Sequence, residues 1–448
     1  MYKNKKIFIL GMARSGYECA KLLSNYNNSI LINDGSADQN LLHVEELEKL
    51  GVSVILGNHP DDIFDENFDY LVKNPGIKDN HKYIVKAKQL NIPVVNEIEV
   101  AYHFLPKNVK IIGITGTNGK TTTTTLTYEI INKQYKNSHL IGNMGFPLSS
   151  FIDKIKENDI LVMEISAQQL LNFNKFKTNI SVITNLSEAH TDHFGTYENY
   201  VGMKKRIFNN LTKNDLSITN LNDNLCVEQI KDTISKKEYF SIDKKTDIYL
   251  DNDEIIYKNE KIINIKDIRL VGNHNYENIM CAICICKELN IKNEYIIEVL
   301  NNFVGVEHRL EFVSCINDRN FYNDSKATNN ISTIIALKAF KTPTILIMGG
   351  LDRGQSFDEL LPHTKNVKFI VCYGETKNKI DEFCKTNSIK VYVVNNLEEA
   401  TKLAYNMSEK NDTILLSPAC ASWDQYKKFE DRGLDFKNVI NNLEGNDK

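Results

Sequence analysis

The feature that most constrains this chain is an apolar strand that runs directly into a glycine-rich turn and then into a helix. Residues 109–114 are largely apolar and β-branched, which predicts a buried strand. The turn is rich in Gly and Thr, and the spacing of Leu126, Ile130 and Ile131 places them on one side of the helix that follows. Backbone N–H groups of such a turn, together with the helix dipole, favour an anion. The stretch therefore predicts a phosphate-binding loop.

The two residues after the turn indicate how such a loop would act. In a phosphate-binding loop the lysine, here Lys120, reaches the β- and γ-phosphates, and the hydroxyl of Thr121 binds Mg²⁺. The spacing departs from the strict G-x-x-x-x-G-K-[ST] pattern, because Ile114 stands at the first glycine and Gly113 comes one residue early. A chance Gly-Lys-Thr sequence is the alternative. The flanking strand and helix argue against it.

The composition is that of an ordinary soluble globular protein and excludes several classes of function. The 448 residues suggest roughly two to four domains. With 42% apolar residues, 25% charged residues and a formal net charge of −4, nothing favours nucleic acid or an anionic membrane as a partner. No apolar run approaches the roughly 18–20 residues of a membrane span. The nine cysteines lack disulfide-framework spacing, which suits a reducing cytoplasm, and Cys281, Cys284 and Cys286 fall in a predicted buried helix.

The N-terminal part of the chain has the order of a small Rossmann-like domain. An apolar strand and a tight turn occupy residues 7–16, a helix follows at 17–23, and the next strand, 29–33, ends at Asp34. This order is close to the dinucleotide-binding fingerprint, in which an acidic residue contacts a ribose. Because Ala13 replaces the middle glycine, three interpretations stay open: a NAD or FAD site, a UDP site and a structural turn.

The rest of the chain alternates strands with helices, and polar or glycine-rich turns follow the strands. Strands at 160–165 and 180–185 predict a mostly parallel central sheet whose ligands bind beyond the carboxyl ends of the strands. Four more strands are predicted near the C-terminus, at 319–322, 344–348, 368–372 and 413–416. We therefore predict an α/β protein of three domains: a Rossmann-like domain at 1–107, a P-loop-type domain at 108–303 and a second Rossmann-like domain at 304–448.

Three motifs together resemble the Mur ligases. Residues 113–122, Gly-Ile-Thr-Gly-Thr-Asn-Gly-Lys-Thr-Thr, resemble the ATP loop of Mur ligases and folylpolyglutamate synthetases. Residues 322–329, Tyr-Asn-Asp-Ser-Lys-Ala-Thr-Asn, and the stretch 417–433, which begins Ser-Pro-Ala-Cys-Ala-Ser-Trp-Asp-Gln, resemble the D-glutamate-adding branch. The Asp-Asn-Pro-Arg motif of the branch that adds diaminopimelate or lysine does not occur in the third domain. The resemblance covers nearly the whole chain.

The resemblance implies a cytoplasmic ligase of peptidoglycan precursor synthesis that uses ATP and Mg²⁺. Its substrates would be UDP-N-acetylmuramoyl-L-alanine and D-glutamate, with no nucleic acid partner, no membrane insertion and a monomeric state. In this family the substrate carboxylate takes the γ-phosphoryl group of ATP, and the amine of D-glutamate attacks the acyl phosphate. Because two anions must be brought together, such a site needs cations on both sides.

The resemblance also implies the residues of each subsite. The catalytic and metal-binding residues would be Thr121, Glu164, His190 and Lys204, the last carbamylated by CO₂, with Lys120. The ATP-binding residues would be Gly116, Thr117, Asn118, Gly119, Lys120, Thr121, Thr122, Asn278, Arg309 and Asp324. The UDP-sugar residues would be Ala13, Arg14, Ser15, Asp34, Asn74, Gly76 and Asn143. The D-glutamate residues would be Lys326, Thr328, Arg353, Ser422 and Phe429.

Some positions depart from the family pattern. The family's Ser-Ser-Phe-Gln-Leu is Ser-Ala-Gln-Gln-Leu at residues 166–170, and Arg353 stands where some members have lysine. Asp34 is followed by Gly-Ser rather than by arginine, which leaves the uridine contacts open. Trp423 and Arg432 have no role that follows from the sequence.

Interpretations of the same residues without a catalytic or binding role also stay open. The alternative for His190 is an ordinary loop histidine, for Glu164 a solvated loop acid and for Lys204 a basic surface shared with its neighbours. Three other functions compete with the leading one: an amide ligase for another amino acid, a dehydrogenase built on residues 7–34, and a P-loop switch or motor. The dehydrogenase alternative does not explain the phosphate-binding motif at Lys120.

Overall fold

The structure is a computed structural model that describes residues 1–143, 146–187, 194–270 and 272–446. The chain forms two compact units, one of Met1–Ile268 with Asn273–Asn301 and the other of Arg269–Gly272 with Asn302–Lys448. Within the described ranges, none of the helices combines the length and apolar character needed to cross a membrane. The first unit contains two sheets and the second unit one.

The N-terminal sheet has five parallel strands in an order typical of Rossmann-like folds. From edge to edge its strands are Ser53–Leu56, Ser29–Asp34, Lys6–Leu10, Tyr70–Lys73 and Val94–Val95. Its helices are Arg14–Ser24, Leu41–Lys49, Lys82–Gln89 and Glu97–Tyr102. Helices cover both faces of the sheet, so Ile7 and Ile9 pack in one apolar cluster while Phe8 and Leu10 pack in another. The order of the strands reverses beside Lys6–Leu10, which is where such sheets bind ligands.

The central sheet has nine strands and is mostly parallel, as predicted. Its parallel strands are Ser138–Gly142, Ile160–Glu164, Lys110–Thr115, Ile180–Ile183, Leu216–Asn220, Lys236–Ser241 and Ile248–Asp251, in spatial order. Two antiparallel strands, Glu254–Tyr257 and Glu260–Asn264, complete one edge. Its α-helices are Lys120–Gln134, Ala167–Leu170, Tyr197–Lys205, Asn224–Ile230, Asn273–Glu288 and Asn293–Asn302. The strand of the phosphate-binding loop lies between the two strands that end at Glu164 and Ile183.

The second unit contains a six-stranded sheet. In spatial order its strands are Glu311–Ile316, Arg319–Asn323, Thr413–Leu416, Thr344–Gly349, Val367–Tyr373 and Val391–Val393. The first pair is antiparallel and the other pairs are parallel. Its α-helices are Asn330–Ala339, Lys377–Thr386, Leu397–Met407 and Phe429–Asn446. The loops that follow the strands ending at Asn323, Gly349 and Leu416 therefore leave the same edge of the sheet.

The predicted elements are largely confirmed, and the differences lie at their ends. The strands predicted at 160–165 and 180–185 stop at Glu164 and Ile183. The helix Tyr197–Lys205 continues as a 3₁₀ turn, Arg206–Phe208. The apolar run with three cysteines is a buried part of the helix Asn273–Glu288. The domain boundaries at 107 and 303 stay predictions.

Candidate active site

The phosphate-binding loop connects the strand Lys110–Thr115 to the helix Lys120–Gln134. Gly119 precedes that helix with a φ of +77°, and a Cβ atom on it would lie 2.1 Å from Oδ1 of Asn278. Asn278 is buried and its Oδ1 accepts a hydrogen bond of 3.2 Å from the hydroxyl of Thr123. The structure therefore brings Asn278 against the loop, whereas its contact with adenine stays a prediction.

A neighbouring loop holds the phosphate-binding loop in shape. The backbone N–H of Thr117 donates to the carbonyl of Asn185 at 2.9 Å, and the N–H of Asn118 donates to Oδ1 of Asn185 at 2.9 Å. The amide of Asn185 donates back to the carbonyl of Asn118 at 3.0 Å. No sequence motif assigned a role to Asn185. Its place just beyond the adjacent strand Ile180–Ile183 is the signal that points to it.

The ammonium of Lys120 is held at the loop itself. Its Nζ donates to the backbone carbonyls of Gly116 and Thr117, each at 2.9 Å. The side chain of this first helical residue therefore folds back over the turn instead of extending into solvent. The positive charge adds to the helix dipole at the place where the loop favours an anion.

Glu164 connects the loop to a second region of the site. Its carboxylate is 2% exposed, and it accepts a hydrogen bond of 2.7 Å from the hydroxyl of Thr121 and one of 2.7 Å from the amide of Asn143. The interpretation of Glu164 as a solvated loop acid is therefore wrong. A buried carboxylate beside a threonine hydroxyl at a helix N-terminus supplies the oxygen ligands that Mg²⁺ prefers.

Other ligands for such an ion are not gathered in the described part of the chain. Within those residues, no three or more His, Cys, Asp or Glu side chains form a group that could hold a metal ion. Mg²⁺ usually keeps several waters and needs only one or two carboxylates, so Glu164 with Thr121 fits this ion. His190, the predicted further residue of the metal site, lies outside the described residues.

Lys204 is buried beneath the loop, so its interpretation as part of a solvated basic surface is wrong. Its side chain is 1% exposed, Nζ donates to the carbonyl of Gly116 at 2.7 Å, and the ammonium lies 4.7 Å from the ring centroid of Tyr200. Burial and then the charge of Lys120 hold the pKa of Lys204 well below its usual range, although Glu164 acts in the opposite direction. Its neighbour Lys205 is exposed. The site therefore favours a neutral amine at Lys204.

Two clefts adjoin these residues. One, of about 370 Å³, is lined by Pro75, Gly76, Lys120, Asn143, Ser166, Ala167, Gln168, Tyr200 and Lys204. The other, of about 230 Å³, is lined by Ala13, Arg14, Ser15, Asn74, Pro75, Glu97, Gly142, Asn143, Pro147 and Gln169. Pro75 and Asn143 line both, so the two clefts meet. Six of the residues predicted for the UDP-sugar thus gather beside the phosphate-binding loop, although they come from distant parts of the sequence.

Asp34 is the exception among the residues predicted for the UDP-sugar. It lies outside the lining of both clefts, and its carboxylate accepts hydrogen bonds from the backbone N–H groups of Met12 at 2.7 Å and Ser36 at 2.8 Å. These bonds fix the turn after the first strand. The structure therefore gives Asp34 a role in shaping the turn, and its contact with uridine stays a prediction.

Glu97 is a cleft residue that the sequence analysis missed. Its buried carboxylate accepts a hydrogen bond of 2.6 Å from the backbone N–H of Ser149. Burial raises the pKa of Glu97 to about 7, against the lowering effects of the Ser149 hydrogen bonds and of the Arg14 charge. A glutamate in the first turn of a short helix reads as ordinary dipole compensation, so the sequence carried no signal of this burial.

The second unit contains the remaining predicted residues. Asp324 is buried, its Oδ2 accepts from the hydroxyl of Ser417 at 2.8 Å, and burial raises its pKa to about 7 while the charge of Arg309 lowers it. Lys326 lies with its ammonium 5.8 Å from the ring centroid of Phe429. Because Arg309 and Asp324 belong to this unit, their predicted contacts with ATP stay predictions.

Two further D-glutamate candidates lie on neighbouring loops of that unit. The N–H of Leu351 donates to the carbonyl of Ala421 at 2.9 Å, which joins the loop of Arg353 to the loop of Ser422. Ser422 is 2% exposed, and its hydroxyl has no hydrogen-bond partner among the residues that the structure describes. Thr328, the last candidate, follows on the loop of Lys326, and its backbone N–H donates to the carbonyl of Lys326 at 2.9 Å.

Comparison with known proteins identifies the family. Three family models match, the Mur ligase MurD-like N-terminal domain over residues 5–96, the Mur ligase middle domain over 114–286 and the Mur ligase glutamate ligase domain over 308–420. A UDP-N-acetylmuramoylalanine–D-glutamate ligase of Bacillus cereus is 42% identical over 445 residues, covering 99% of this chain and 98% of that protein. The chain belongs to the Mur ligase family.

Other Mur ligases agree with this assignment. A protein of the same name from Listeria innocua is 43% identical over 446 residues, covering 99% of this chain and 98% of that protein. The crystal structure of UDP-N-acetylmuramate-alanine ligase MurC from Thermotoga maritima aligns with a TM-score of 0.61 over 98% of this chain and 100% of that chain, at 19% identity. The Mur ligase fold thus accounts for all three sheets.

Arg432 has a structural role in this Mur ligase that the sequence did not indicate. Its side chain is 0% exposed. The guanidinium donates to the hydroxyl of Ser325 at 2.9 Å, to the carbonyl of Ser325 at 2.7 Å and to the carbonyl of Cys420 at 3.1 Å. The hydroxyl of Ser325 in turn donates to the carbonyl of Phe429 at 2.8 Å. Arg432 therefore ties together the loops that carry the D-glutamate candidates.

We expect Arg432→Lys to lower the free energy of unfolding of the second unit by roughly 2–4 kcal/mol, because an ammonium cannot span acceptors that a planar guanidinium reaches. Trp423 is the only tryptophan in the chain and lies in this unit, so its fluorescence during urea unfolding reports the change directly.

The matched control for that measurement is Arg319→Lys. Arg319 is a partly exposed arginine of the same unit that donates to the hydroxyl and the carbonyl of Ser408 at 3.0 and 3.1 Å and to the carbonyl of Asn317 at 2.8 Å. Because this site is partly exposed, water can replace the partners that a lysine does not reach. The control should cost about 1 kcal/mol or less. Equal losses of unfolding free energy in the two variants would show that Arg432 does not stabilise the unit more than an ordinary arginine does.

Proposed function

We propose that this chain is a ligase that uses ATP and Mg²⁺ to join D-glutamate to UDP-N-acetylmuramoyl-L-alanine in the cytoplasm, with ADP and phosphate as the other products. The observation that carries the proposal is the cluster of Lys120, buried Lys204 and buried Glu164 around one phosphate-binding loop beside an open cleft. The choice of D-glutamate rests on the printed name of relatives that are 42–43% identical over 99% of this chain.

The reaction has two steps, and in the first step these residues offset electrostatic repulsion. First, a carboxylate oxygen of the precursor attacks the γ-phosphorus of ATP, the bond to the bridging oxygen breaks, and ADP leaves. Second, the amine of D-glutamate attacks the acyl carbon, an amide bond forms, phosphate leaves and the amine loses a proton. In the first step both reactants are anions. The loop N–H groups, the helix dipole and Lys120 offset this repulsion.

The metal site and the precursor site follow from the same arrangement. Thr121 and Glu164 would hold Mg²⁺, which supplies charge neutralisation at the phosphates when it is bound. Ala13, Arg14 and Ser15 lie at the N-terminus of the helix Arg14–Ser24, where the N–H groups and the helix dipole favour the diphosphate of a UDP-sugar. The clefts meet at Asn143, which gives the precursor a continuous path to the phosphate-binding loop.

Each of the three predicted domains would bind one substrate. Residues 1–107 would bind the UDP-precursor, residues 108–303 would bind ATP, and residues 304–448 would bind D-glutamate through Lys326, Thr328, Arg353, Ser422 and Phe429. The protein would act as a monomer. The family's pattern of residues supports the assignment of these residues to D-glutamate.

Purified protein should release phosphate from ATP only when UDP-N-acetylmuramoyl-L-alanine is present, and full turnover should also require D-glutamate. Both requirements follow because phosphoryl transfer needs an acceptor carboxylate and amide formation needs the amine. A coupled phosphate assay with each cosubstrate omitted in turn is the test. Equal turnover with L-glutamate or lysine would reject the D-glutamate assignment. Hydrolysis without cosubstrates would favour a switch or motor, and NADH binding by fluorescence would favour the dehydrogenase alternative.

Lys120→Ala should lower kcat by about 10³-fold or more, because it removes a cation from the transferring phosphoryl group. Binding of the UDP-precursor, measured by calorimetry, should persist, since its predicted residues lie mainly on the N-terminal sheet. The control is Lys133→Ala, which changes an exposed lysine on the same helix whose partner is Glu298. Loss of precursor binding in Lys120→Ala would indicate unfolding rather than a catalytic defect.

Active enzyme should carry a carbamate on Lys204. A neutral amine combines with CO₂ to form a carbamate and release a proton, and the low pKa of this buried lysine supplies the neutral amine. The carbamate would turn a cation into an anionic oxygen ligand suited to the Mg²⁺ environment. Incubation with ¹³CO₂ should give a carbamate carbon signal by NMR in the wild-type protein that is absent from Lys204→Ala.

The same variant provides an activity test. Lys204→Ala should be nearly inactive, and short carboxylic acids should restore part of the activity by occupying the vacated space. The control is Lys205→Ala, which removes the exposed neighbouring lysine and should retain wild-type activity. An active Lys204→Ala protein without added acid would contradict the prediction.

A further inference from the structure

Trp423 is an exposed aromatic residue that lies against one of the proposed D-glutamate ligands. Its side chain is 63% exposed, and it is the only tryptophan in the chain. The central carbon of the Arg353 guanidinium lies 4.6 Å from the centroid of the indole ring. This distance is that of a cation–π contact, which is attractive for arginine over tryptophan. An isolated exposed apolar side chain needs no explanation, but one that carries a stacked arginine does.

The backbone around the two residues is held independently of this contact. The N–H of Leu351 donates to the carbonyl of Ala421 at 2.9 Å, which joins the two loops. The N–H of Arg353 donates to Oε1 of Gln355 at 3.0 Å, and the N–H of Gly354 donates to Oδ1 of Asp352 at 2.8 Å. The loop conformation therefore fixes where the Arg353 side chain starts. The guanidinium at the end of that side chain lies against the indole.

The contact with Trp423 leaves the hydrogen-bond donors of the Arg353 guanidinium unused. In the described ranges, its guanidinium has no hydrogen bond and no ion pair, and Trp423 is its one ring contact. Stacking occupies the flat face of a guanidinium, whereas its N–H groups lie in the plane and bind carboxylates in pairs. Ser422, next to the tryptophan, adds a buried hydroxyl that likewise has no partner in that part of the chain.

We propose that Trp423 is a positioning residue for the acceptor amino acid: it holds the Arg353 guanidinium flat against its ring so that the free edge receives a carboxylate of D-glutamate. The inference rests on the proposed function and adds a residue to it. An exposed arginine without this support samples many rotamers and loses that freedom on binding a carboxylate. The indole reduces that loss in advance. Trp423 itself touches no reacting atom in this proposal.

The test is a double-mutant cycle on the full-length protein. Trp423→Leu keeps an apolar side chain but removes the ring, and it should raise the KM for D-glutamate about two- to tenfold. The KM for ATP and for UDP-N-acetylmuramoyl-L-alanine should stay unchanged, and kcat should stay within about twofold of the wild type. Trp423→Phe keeps an aromatic face and should restore most of the affinity. In an Arg353→Ala background, Trp423→Leu should have no further effect on the KM for D-glutamate.

The intrinsic fluorescence of the wild-type protein gives a second measurement. Because Trp423 is the only tryptophan, D-glutamate bound to Arg353 should change its emission in a saturable way, and Arg353→Ala should abolish that change. Leu434→Ala, which changes another exposed apolar residue of this unit, is the control and should leave the KM for D-glutamate unchanged.

The outcomes separate this inference from the function on which it rests. A wild-type protein without turnover that depends on D-glutamate would reject the proposed function and this inference together. Normal wild-type turnover with an unchanged KM in Trp423→Leu would reject the inference alone. An equal rise in KM with and without Arg353 would also reject it, because the tryptophan would then act independently of the arginine.

Discussion

The buried carboxylate of Glu164 is the interaction on which the first unit depends. One of its oxygens accepts from Thr121 at the start of the phosphate-loop helix, and the other accepts from Asn143, where the two clefts meet. Glu164 ends a strand that pairs directly with the strand of the loop, so the parallel sheet fixes its position. Because an unsatisfied buried charge is very costly, both hydrogen bonds must form together. The carboxylate therefore links the phosphate-binding loop to the clefts that Asn143 lines.

Burial also explains why two lysines near one loop differ in chemistry. Lys120 and Lys204 both donate to the carbonyl of Gly116, yet only Lys204 is enclosed by protein. Desolvation penalises the charged form of an amine, and a second cation nearby adds to that penalty. The partly exposed Lys120 can offset phosphate charge, while Lys204 is suited to a reaction that needs a neutral amine. A single loop thus contacts two lysines in different environments.

The second unit uses two arginines in opposite ways. Arg432 is fully buried and donates hydrogen bonds to Ser325 and Cys420, which fixes the loops that carry these two residues. Arg353 is exposed, rests on Trp423 and keeps its hydrogen-bonding edge free. The first arrangement stabilises a framework and the second leaves donors available to a ligand.

The sequence by itself determined many of the strands, the glycine turns, the α/β class and the family, because these depend on local periodicity and on motifs that are contiguous in the chain. It located Glu164 and Lys204 through their place in such motifs but did not reveal their burial. A Lys-Lys-Arg run is locally indistinguishable from a solvated basic surface. Only the tertiary structure enclosed Lys204, buried Glu97 in a cleft, joined two loops through Arg432 and placed Arg353 against Trp423, residues that lie 70 positions apart. Burial, pKa shifts and stacking arise from what packs against a side chain, and those neighbours come from distant segments that no local pattern records.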